Sequence, residues 1–187
     1  DGLEKEAATD QVQEYAAFFK NQWGEGRQTL LHLSRLDPSK GIPETLTAFK
    51  TTLDYYAELR GFLHLVLTVD PGSRLGIKAY RDLQDAQMEL LRTINQEYPG
   101  AVTHYRGLDR PRALAALTQQ DTLTALSGWD GQNLTVLEAA VLGPEHSCVM
   151  VGHGVGASQR FSEQAFVVDP KDTEGNAHVI YQAINLP

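Results

Sequence analysis

Short apolar runs of strand length alternate with longer amphipathic segments along the whole chain, and no other feature restricts the possible folds so strongly. The apolar runs predicted as strands cover residues 29–34, 62–69, 101–107, 122–127, 147–151 and 165–169. The segments predicted as helices cover residues 12–23, 43–59, 76–98, 112–120, 134–142 and 176–185. Strands and helices that alternate in this order form βαβ units with right-handed crossovers. The sequence therefore predicts an α/β fold in which helices flank a parallel sheet.

The length of the chain suits one domain. At 187 residues, a folded chain removes roughly 70% of its unfolded surface from water, so a substantial core can form. Apolar residues make up 42% of the chain, which is enough to fill such a core. Neither an internal repeat nor a low-complexity linker interrupts the pattern. We therefore predict a single domain over residues 1–187.

The composition limits the partners and the compartment of the protein. The chain has 16 basic and 24 acidic residues and a net charge of −8, which argues against general binding to nucleic acid or to anionic membranes. Cys148 is the one cysteine, so no internal disulfide can form, and this favours a reducing compartment. No apolar stretch approaches the length of a membrane span, and no signal peptide is visible. We expect a cytoplasmic protein that binds neither nucleic acid nor membranes.

Ligands of a parallel α/β sheet bind in the crevice beyond the carboxyl ends of its strands. The loops that follow the predicted strands are therefore the first places to look for a site. These loops read RLDPSKG (35–41), DPGSRLG (70–76), RGLDRPR (106–112), GWDGQN (128–133) and GHGVGASQR (152–160). Four of the five contain Arg or Lys, which favours a local anion site in spite of the acidic composition.

Two cations lie close together in the first of these loops. Arg35 offers a planar fork for bidentate contact with a phosphate, and Lys40 offers a point charge. Together they are suited to neutralise a diphosphate. The alternative is a solvated surface loop in which the charges are incidental. In the next loop, Arg74 is either a further cation of the site or a solvated residue beside a helix cap at Ser73.

Polar groups also surround the start of the predicted helix at 134–142. Asp130 lies in a turn, and Asn133 is suited to cap the helix, whose first free amides would form an anion site. Glu138 follows one turn into the helix, where a carboxylate can accept hydrogen bonds from ribose hydroxyls. Asp130 can likewise accept a bond from a sugar hydroxyl. The alternative is an ordinary capped helix that carries one ordinary Glu.

The remaining candidate motifs are weaker. The loop at 152–156 has the spacing G-x-G-x-G rather than the G-x-G-x-x-G of a dinucleotide site, so a tight turn is favoured over a nicotinamide site. The six histidines include no pair at i and i+4 and no cysteine partner at ligand spacing. We therefore predict no metal site.

Several segments together resemble a known family. The segments LSRLDPSKGIPETLTAF, GSR, WDGQNLTVLEAAV, the Gly-rich loop and FVVDPKD occur in the order and spacing of the trehalose-phosphate synthases and their close relatives. The resemblance covers nearly the whole chain. It implies a Rossmann-like parallel sheet flanked by helices, which is the C-terminal, donor-binding half of a two-domain GT-B glycosyltransferase.

The resemblance also implies roles for individual residues. Arg35 and Lys40 would hold the diphosphate and act as the catalytic cations, while Asp130 would contact the donor sugar and Glu138 the ribose. The main-chain amides that would bind sugar or phosphate oxygens belong to Gln132, Asn133 and Leu134. The implied reaction moves glucose from a nucleotide sugar, UDP-glucose or GDP-glucose, to a sugar phosphate with retention of configuration. It needs no tightly bound cofactor and no metal.

The chain departs from the family pattern in ways that bear on its substrates. Gln132 stands where Met is usual, and VLE replaces the usual AKE. These changes leave open a glucosylglycerol-phosphate synthase, a cyclitol-coupling pseudoglycosyltransferase, or a non-catalytic regulatory domain of a synthase complex. The acceptor site of the family belongs to an N-terminal domain. We therefore expect the chain to be a fragment of a longer enzyme that binds a sugar nucleotide weakly and turns over nothing by itself.

Overall fold

The computed structural model describes residues 2–161 and 165–186. Within these residues the strands are β1 (Gln28–Arg35), β2 (Leu63–Asp70), β3 (Val102–Tyr105), β4 (Thr122–Ala125), β5 (Cys148–Gly152) and β6 (Phe166–Val168). The α-helices are α1 (Gly2–Ala7), α2 (Asp10–Trp23), α3 (Ile42–Tyr55), α4 (Lys78–Glu97), α5 (Arg110–Leu117), α6 (Leu134–Leu142) and α7 (Thr173–Ile184). In this part of the chain no helix is both long and apolar enough to cross a bilayer.

The strands form one sheet in the order β3-β2-β1-β4-β5-β6, and every pairing is parallel. The chain builds outward from β1 in one direction and from β4 in the other, so the two loops after these strands flank the point where the strand order reverses. A crevice at such a switch point is where open α/β sheets bind their ligands. The predicted fold class, a Rossmann-like parallel sheet flanked by helices, is confirmed.

Helices cover both faces of the sheet and give two core clusters. On one face, α3, α4 and α7 pack through buried residues such as Phe49 and Ile180. On the other face, α2, α5 and α6 pack through residues such as Phe19 and Val136. Burial on both faces explains why β2 is a nearly continuous apolar run, since no side of a central parallel strand meets water.

The predicted elements are present, with differences at their ends. α3 ends at Tyr55, and a separate 3-10 turn follows at Ala57–Leu59, where the sequence pattern predicts one continuous helix. Tyr56 leaves the helical conformation there and stacks on Tyr181 of α7 at a ring distance of 4.0 Å. The short helix α1 lies in the acidic N-terminal segment and was not predicted, because six residues are too few to show helical periodicity.

Candidate functional site

A cleft of about 410 Å³ opens between the loops that follow β1 and β4. It is lined by Leu33, Ser34, Arg35, Lys40, Asp130, Gln132, Asn133, Leu134 and Thr135. Every residue predicted for the site is therefore at the cleft except Glu138, which lies further along α6. The switch-point loops bring together side chains that are about 90 residues apart in the chain.

The loop after β1 is held in shape by Asp37. Its carboxylate accepts bonds from the Ser39 amide at 3.0 Å and from the Ser39 hydroxyl at 2.8 Å, which caps the 3-10 turn at Pro38–Lys40. Arg74, from the loop after β2, donates to the same carboxylate at 2.6 Å. Burial would raise the pKa of Asp37, but these hydrogen bonds and the charge of Arg74 outweigh it and lower the pKa. Arg74 is thus half-buried and does not line the cleft, and its bond to Asp37 orients the loop that carries the other cations.

Gly41 allows this loop to lie directly against the end of β4. Its φ of +67° is in the left-handed region, and a Cβ built at this position would lie 1.8 Å from the carbonyl oxygen of Leu126. A side chain there would force the two loops apart. The position of Lys40, which precedes Gly41, therefore depends on the absence of a side chain at its neighbour.

The glycines after β5 likewise allow two loops to lie directly against each other. A Cβ at Gly154 would lie 1.9 Å from the carbonyl oxygen of Gly128, and a Cβ at Gly156 would lie 1.9 Å from that of Gly131. The backbone of Asp130 joins the two loops, because its amide donates to Gly154 at 3.2 Å and its carbonyl accepts from Gly156 at 3.0 Å. The alternation of glycines thus serves loop-on-loop packing, which agrees with the tight turn favoured over a nicotinamide site.

The two predicted cations differ in their surroundings. Lys40 forms an ion pair with Asp130, with Nζ 2.5 Å from Oδ2 and both side chains largely shielded from water. Arg35 is exposed at the cleft, and its guanidinium has no hydrogen-bond or ion-pair partner among the residues that the structure describes. The cleft therefore offers one uncompensated positive charge, one compensated charge, and a second carboxylate oxygen on Asp130 that can accept a hydroxyl hydrogen bond.

The start of α6 adds backbone donors to the cleft. Asn133 occupies the N-cap position with a left-handed φ of +51°, but its side chain makes no capping bond. The prediction that the Asn133 side chain caps the helix is therefore wrong, although the helix begins at Leu134 as predicted. Uncapped amides in the first turn of a helix attract anions, because they carry the positive end of the helix dipole.

Glu138 points into a network that the sequence did not reveal. Its Oε1 accepts a bond from Arg110 Nη1 at 2.5 Å. The same guanidinium reaches both carboxylate oxygens of Glu6 in α1, each at 3.1 Å. Arg110 belongs to the loop RGLDRPR, which the topology marks as a ligand-facing loop, but nothing in the spacing pairs it with residues 104 and 28 positions away. The sequence could indicate that Arg110 lies in a loop after a strand, but it could not indicate that Glu6 and Glu138 are its partners.

His32 has a structural role. His32 is buried below the cleft, with Nδ1 3.1 Å from the Thr45 hydroxyl and Nε2 2.9 Å from the Ser34 hydroxyl. Burial, with a smaller contribution from the charge of Lys40, lowers the pKa of His32 to about 4, so its ring is neutral at pH 7. Residues 2–161 and 165–186 contain no group of three His, Cys, Asp or Glu side chains suited to a metal ion.

Comparison with known proteins identifies relatives of the whole chain. A family model described as glycosyltransferase family 20 matches residues 1–187. An alpha,alpha-trehalose-phosphate synthase [UDP-forming] A from Dictyostelium discoideum is 31% identical over 186 residues, which are 96% of this chain and 25% of that protein. The chain thus spans about a quarter of the length of this relative.

Solved structures show the same fold. An alpha,alpha-trehalose-phosphate synthase (UDP-forming) from Burkholderia xenovorans, in complex with glucose-6-phosphate, superposes with a TM-score of 0.93 at 21% identity and covers 100% of this chain. The E. coli protein bound with UDP-2-fluoro glucose superposes with a TM-score of 0.88 at 21% identity, again over 100% of this chain. The superposed region is 42% of each of those chains.

Proposed function

The chain belongs to glycosyltransferase family 20, and from this we propose that it is the donor-binding domain of a retaining glycosyltransferase similar to trehalose-phosphate synthase. The observation that carries the proposal is the cleft at the switch point, where Arg35, Lys40 and the uncapped start of α6 converge. The uncompensated charge of Arg35, the Lys40–Asp130 pair and a helix N-terminus form an environment that suits a diphosphate better than a neutral ligand.

The donor fits this cleft in a specific order along the loops. The diphosphate would lie against Arg35, Lys40 and the first amides of α6. Asp130, which lines the cleft together with Lys40, would accept a hydrogen bond from the donor sugar. Glu138, one helical turn further on, would accept bonds from the ribose. UDP-glucose is the donor we propose, because the relatives are named as UDP-forming and the E. coli structure is described with a UDP-glucose analogue.

The arrangement suggests how the residues would promote transfer. When the bond between the anomeric carbon and the phosphate oxygen breaks, negative charge grows on the departing diphosphate. Fixed positive groups stabilise this charge in the transition state more than they stabilise the ground state, and this difference lowers the barrier. Attack and departure on one face would retain the configuration, and the departing phosphate oxygen is then placed to take the proton that the acceptor hydroxyl loses.

The acceptor and the partner domain are further parts of the proposal. We propose that a sugar phosphate is the acceptor and that it binds to an N-terminal domain, within the part of the relatives' length that this chain does not span. The names of the relatives favour this reaction over a glucosylglycerol-phosphate or cyclitol-coupling synthase. A cytoplasmic location is consistent with the single cysteine, which cannot form an internal disulfide.

Calorimetric titration of the chain with UDP-glucose, GDP-glucose and UDP tests the donor assignment. We expect weak binding of the uridine nucleotides, with a dissociation constant on the order of a millimolar or below. Arg35→Ala should weaken binding without loss of stability, because the guanidinium has no partner within the described chain. Lys20→Ala, an exposed cation of α2, is the matched control and should bind as the wild type does. Failure of the folded wild type to bind any of the three nucleotides at millimolar concentration would contradict the proposal.

A further inference from the structure

Arg110 joins the three helices α1, α5 and α6. It begins α5, and its guanidinium contacts Glu6 of α1 through Nε and Nη2 at 3.1 Å each. The remaining terminal nitrogen, Nη1, contacts Glu138 of α6 at 2.5 Å. A guanidinium held by two parallel bonds on one side has a fixed plane, so the direction of its third bond is fixed as well.

This geometry restrains the Glu138 carboxylate but does not saturate it. Oε1 is bound by Arg110, whereas Oε2 has no partner among the residues described by the structure. The hydrogen bonds that Arg110 donates to Glu6 and then to Glu138 raise the pKa of Arg110, and the bond from Arg110 lowers the pKa of Glu6. One positive and two negative charges leave the group with a net negative charge, which suits an acceptor of hydroxyl hydrogen bonds.

The position of Glu138 relates it to the cleft. Glu138 follows Leu134 by four residues and Thr135 by three, and both of these line the cleft. Residues at such spacings lie on the same face of a helix, about one turn or 5.4 Å apart. Glu138 therefore follows the cleft-lining residues of α6 by about one turn, on the side where we expect the nucleoside of a donor to continue past its diphosphate.

We propose that Arg110, itself oriented by Glu6, is a positioning residue that fixes the Glu138 carboxylate for the hydroxyls of the donor's pentose. This inference rests on the proposed function, since it assumes that a nucleotide occupies the cleft. A long Glu side chain that is already ordered loses less rotamer freedom on binding, so the hydrogen bonds to the pentose strengthen the complex more.

A purely structural role is the competing explanation for Arg110, because the same bonds tie α1 to α5 and α6. Such a tie would affect thermal stability but would not affect the distinction between a nucleotide with pentose hydroxyls and one without them. Arg112 provides the matched control. It lies in the same helix, is exposed to a similar degree (45% against 46%), and pairs with Asp109 at 3.0 Å without contacting Glu138.

The test measures the binding of UDP, 2′,3′-dideoxy-UDP and inorganic pyrophosphate to the chain by calorimetry. In the wild type we expect UDP to bind roughly tenfold more tightly than the dideoxy nucleotide, since each hydrogen bond to a charged group is worth about that factor or more. In Arg110→Gln this ratio should fall close to one, whereas pyrophosphate should bind as before. Arg110→Lys should recover part of the ratio, Glu6→Gln should give an intermediate ratio, and Arg112→Gln should keep the wild-type ratio.

The outcomes separate the two proposals. If the wild type binds pyrophosphate and UDP but Arg110→Gln keeps or increases the wild-type ratio, the positioning role is wrong and the proposed function stands. If the wild type binds none of the three probes, both proposals fail. If Arg110→Gln does not fold, as judged by circular dichroism, the ratio in Glu6→Gln decides the matter, and an unchanged ratio there overturns the inference.

Discussion

One ion pair lines the cleft and a second lies further along α6, and the two have the same 2.5 Å separation but opposite organisation. In the Lys40–Asp130 pair, a carboxylate orients a cation that faces the proposed diphosphate. In the Arg110–Glu138 pair, a cation orients a carboxylate that faces the proposed pentose. The first pair is the more shielded, with side chains 17% and 14% exposed against 46% and 22% in the second. The difference indicates that the geometry of the first pair depends on the packing of the loops around it. The geometry of the second pair depends on the hydrogen bonds that Arg110 donates to Glu6 and Glu138.

The largest effect should come from Gly41→Ala, which disturbs the first pair without changing a charge. A methyl group at φ +67° and 1.8 Å from the Leu126 carbonyl oxygen must displace backbone. We expect a loss of roughly 3–5 kcal/mol in the free energy of unfolding, measured by urea denaturation. Gly76→Ala is the control, because its added Cβ meets nothing within 4 Å, and it should change stability little. Equal losses in both variants would show that the contact with Leu126 is not restrictive.

Acid should lower the free energy of unfolding through His32, which is buried below the cleft. His32 has its pKa lowered from 6.5 to about 4 in the fold, so the unfolded chain takes up a proton between these values while the folded chain does not. The stabilisation is thus complete above about pH 6.5 and is lost as the pH falls towards 4, by roughly 2–3 kcal/mol. Urea denaturation across this range measures it.

His32→Gln should make this pH dependence shallower but should not abolish it, since burial lowers the pKa of His64 to about 4 as well. A His32→Gln profile that coincides with the wild-type profile would mean that His32 takes up its proton in the folded state as readily as in the unfolded one.

Lys40→Ala should give the third largest effect, which is a loss of affinity for UDP-glucose. Loss of this cation removes a charge-assisted contact to the proposed diphosphate and leaves Asp130 unpaired at the cleft, where it repels an anion. We expect UDP-glucose to bind about 2 kcal/mol more weakly by calorimetry. Lys50→Ala is the control, since Lys50 pairs with Asp54 and Glu97 away from the cleft. Equal weakening in the two variants would indicate a general charge effect and no specific contact.

The two pairs also differ in how far they could be predicted from the sequence. Periodicity predicted the parallel sheet, and the bounds of α6 agree at both ends, because buried strands and an apolar helix carry their own pattern. The rule that ligands bind beyond strand ends then located Arg35 and Lys40. The partners of Arg110 and the contacts of Gly41 were beyond prediction, because they depend on atoms that only the fold brings together.

The smallest expected effects are the coupling energies within the two ion pairs. Double-mutant cycles on the free energy of unfolding measure these energies and so test the contrast between the pairs directly. The cycle of Lys40→Met with Asp130→Asn should give a coupling energy of about 1 kcal/mol, because shielding from water strengthens the pair. The cycle of Arg110→Met with Glu138→Gln should give only a few tenths of a kcal/mol, as is usual for exposed pairs. Raising the salt concentration from about 0.02 to 0.5 M should reduce the second coupling energy and leave the first nearly unchanged, because salt screens exposed charges more effectively than shielded ones. The reverse order of salt sensitivity would show that the Arg110–Glu138 pair is the better protected of the two, and the contrast drawn from their exposure would then be wrong.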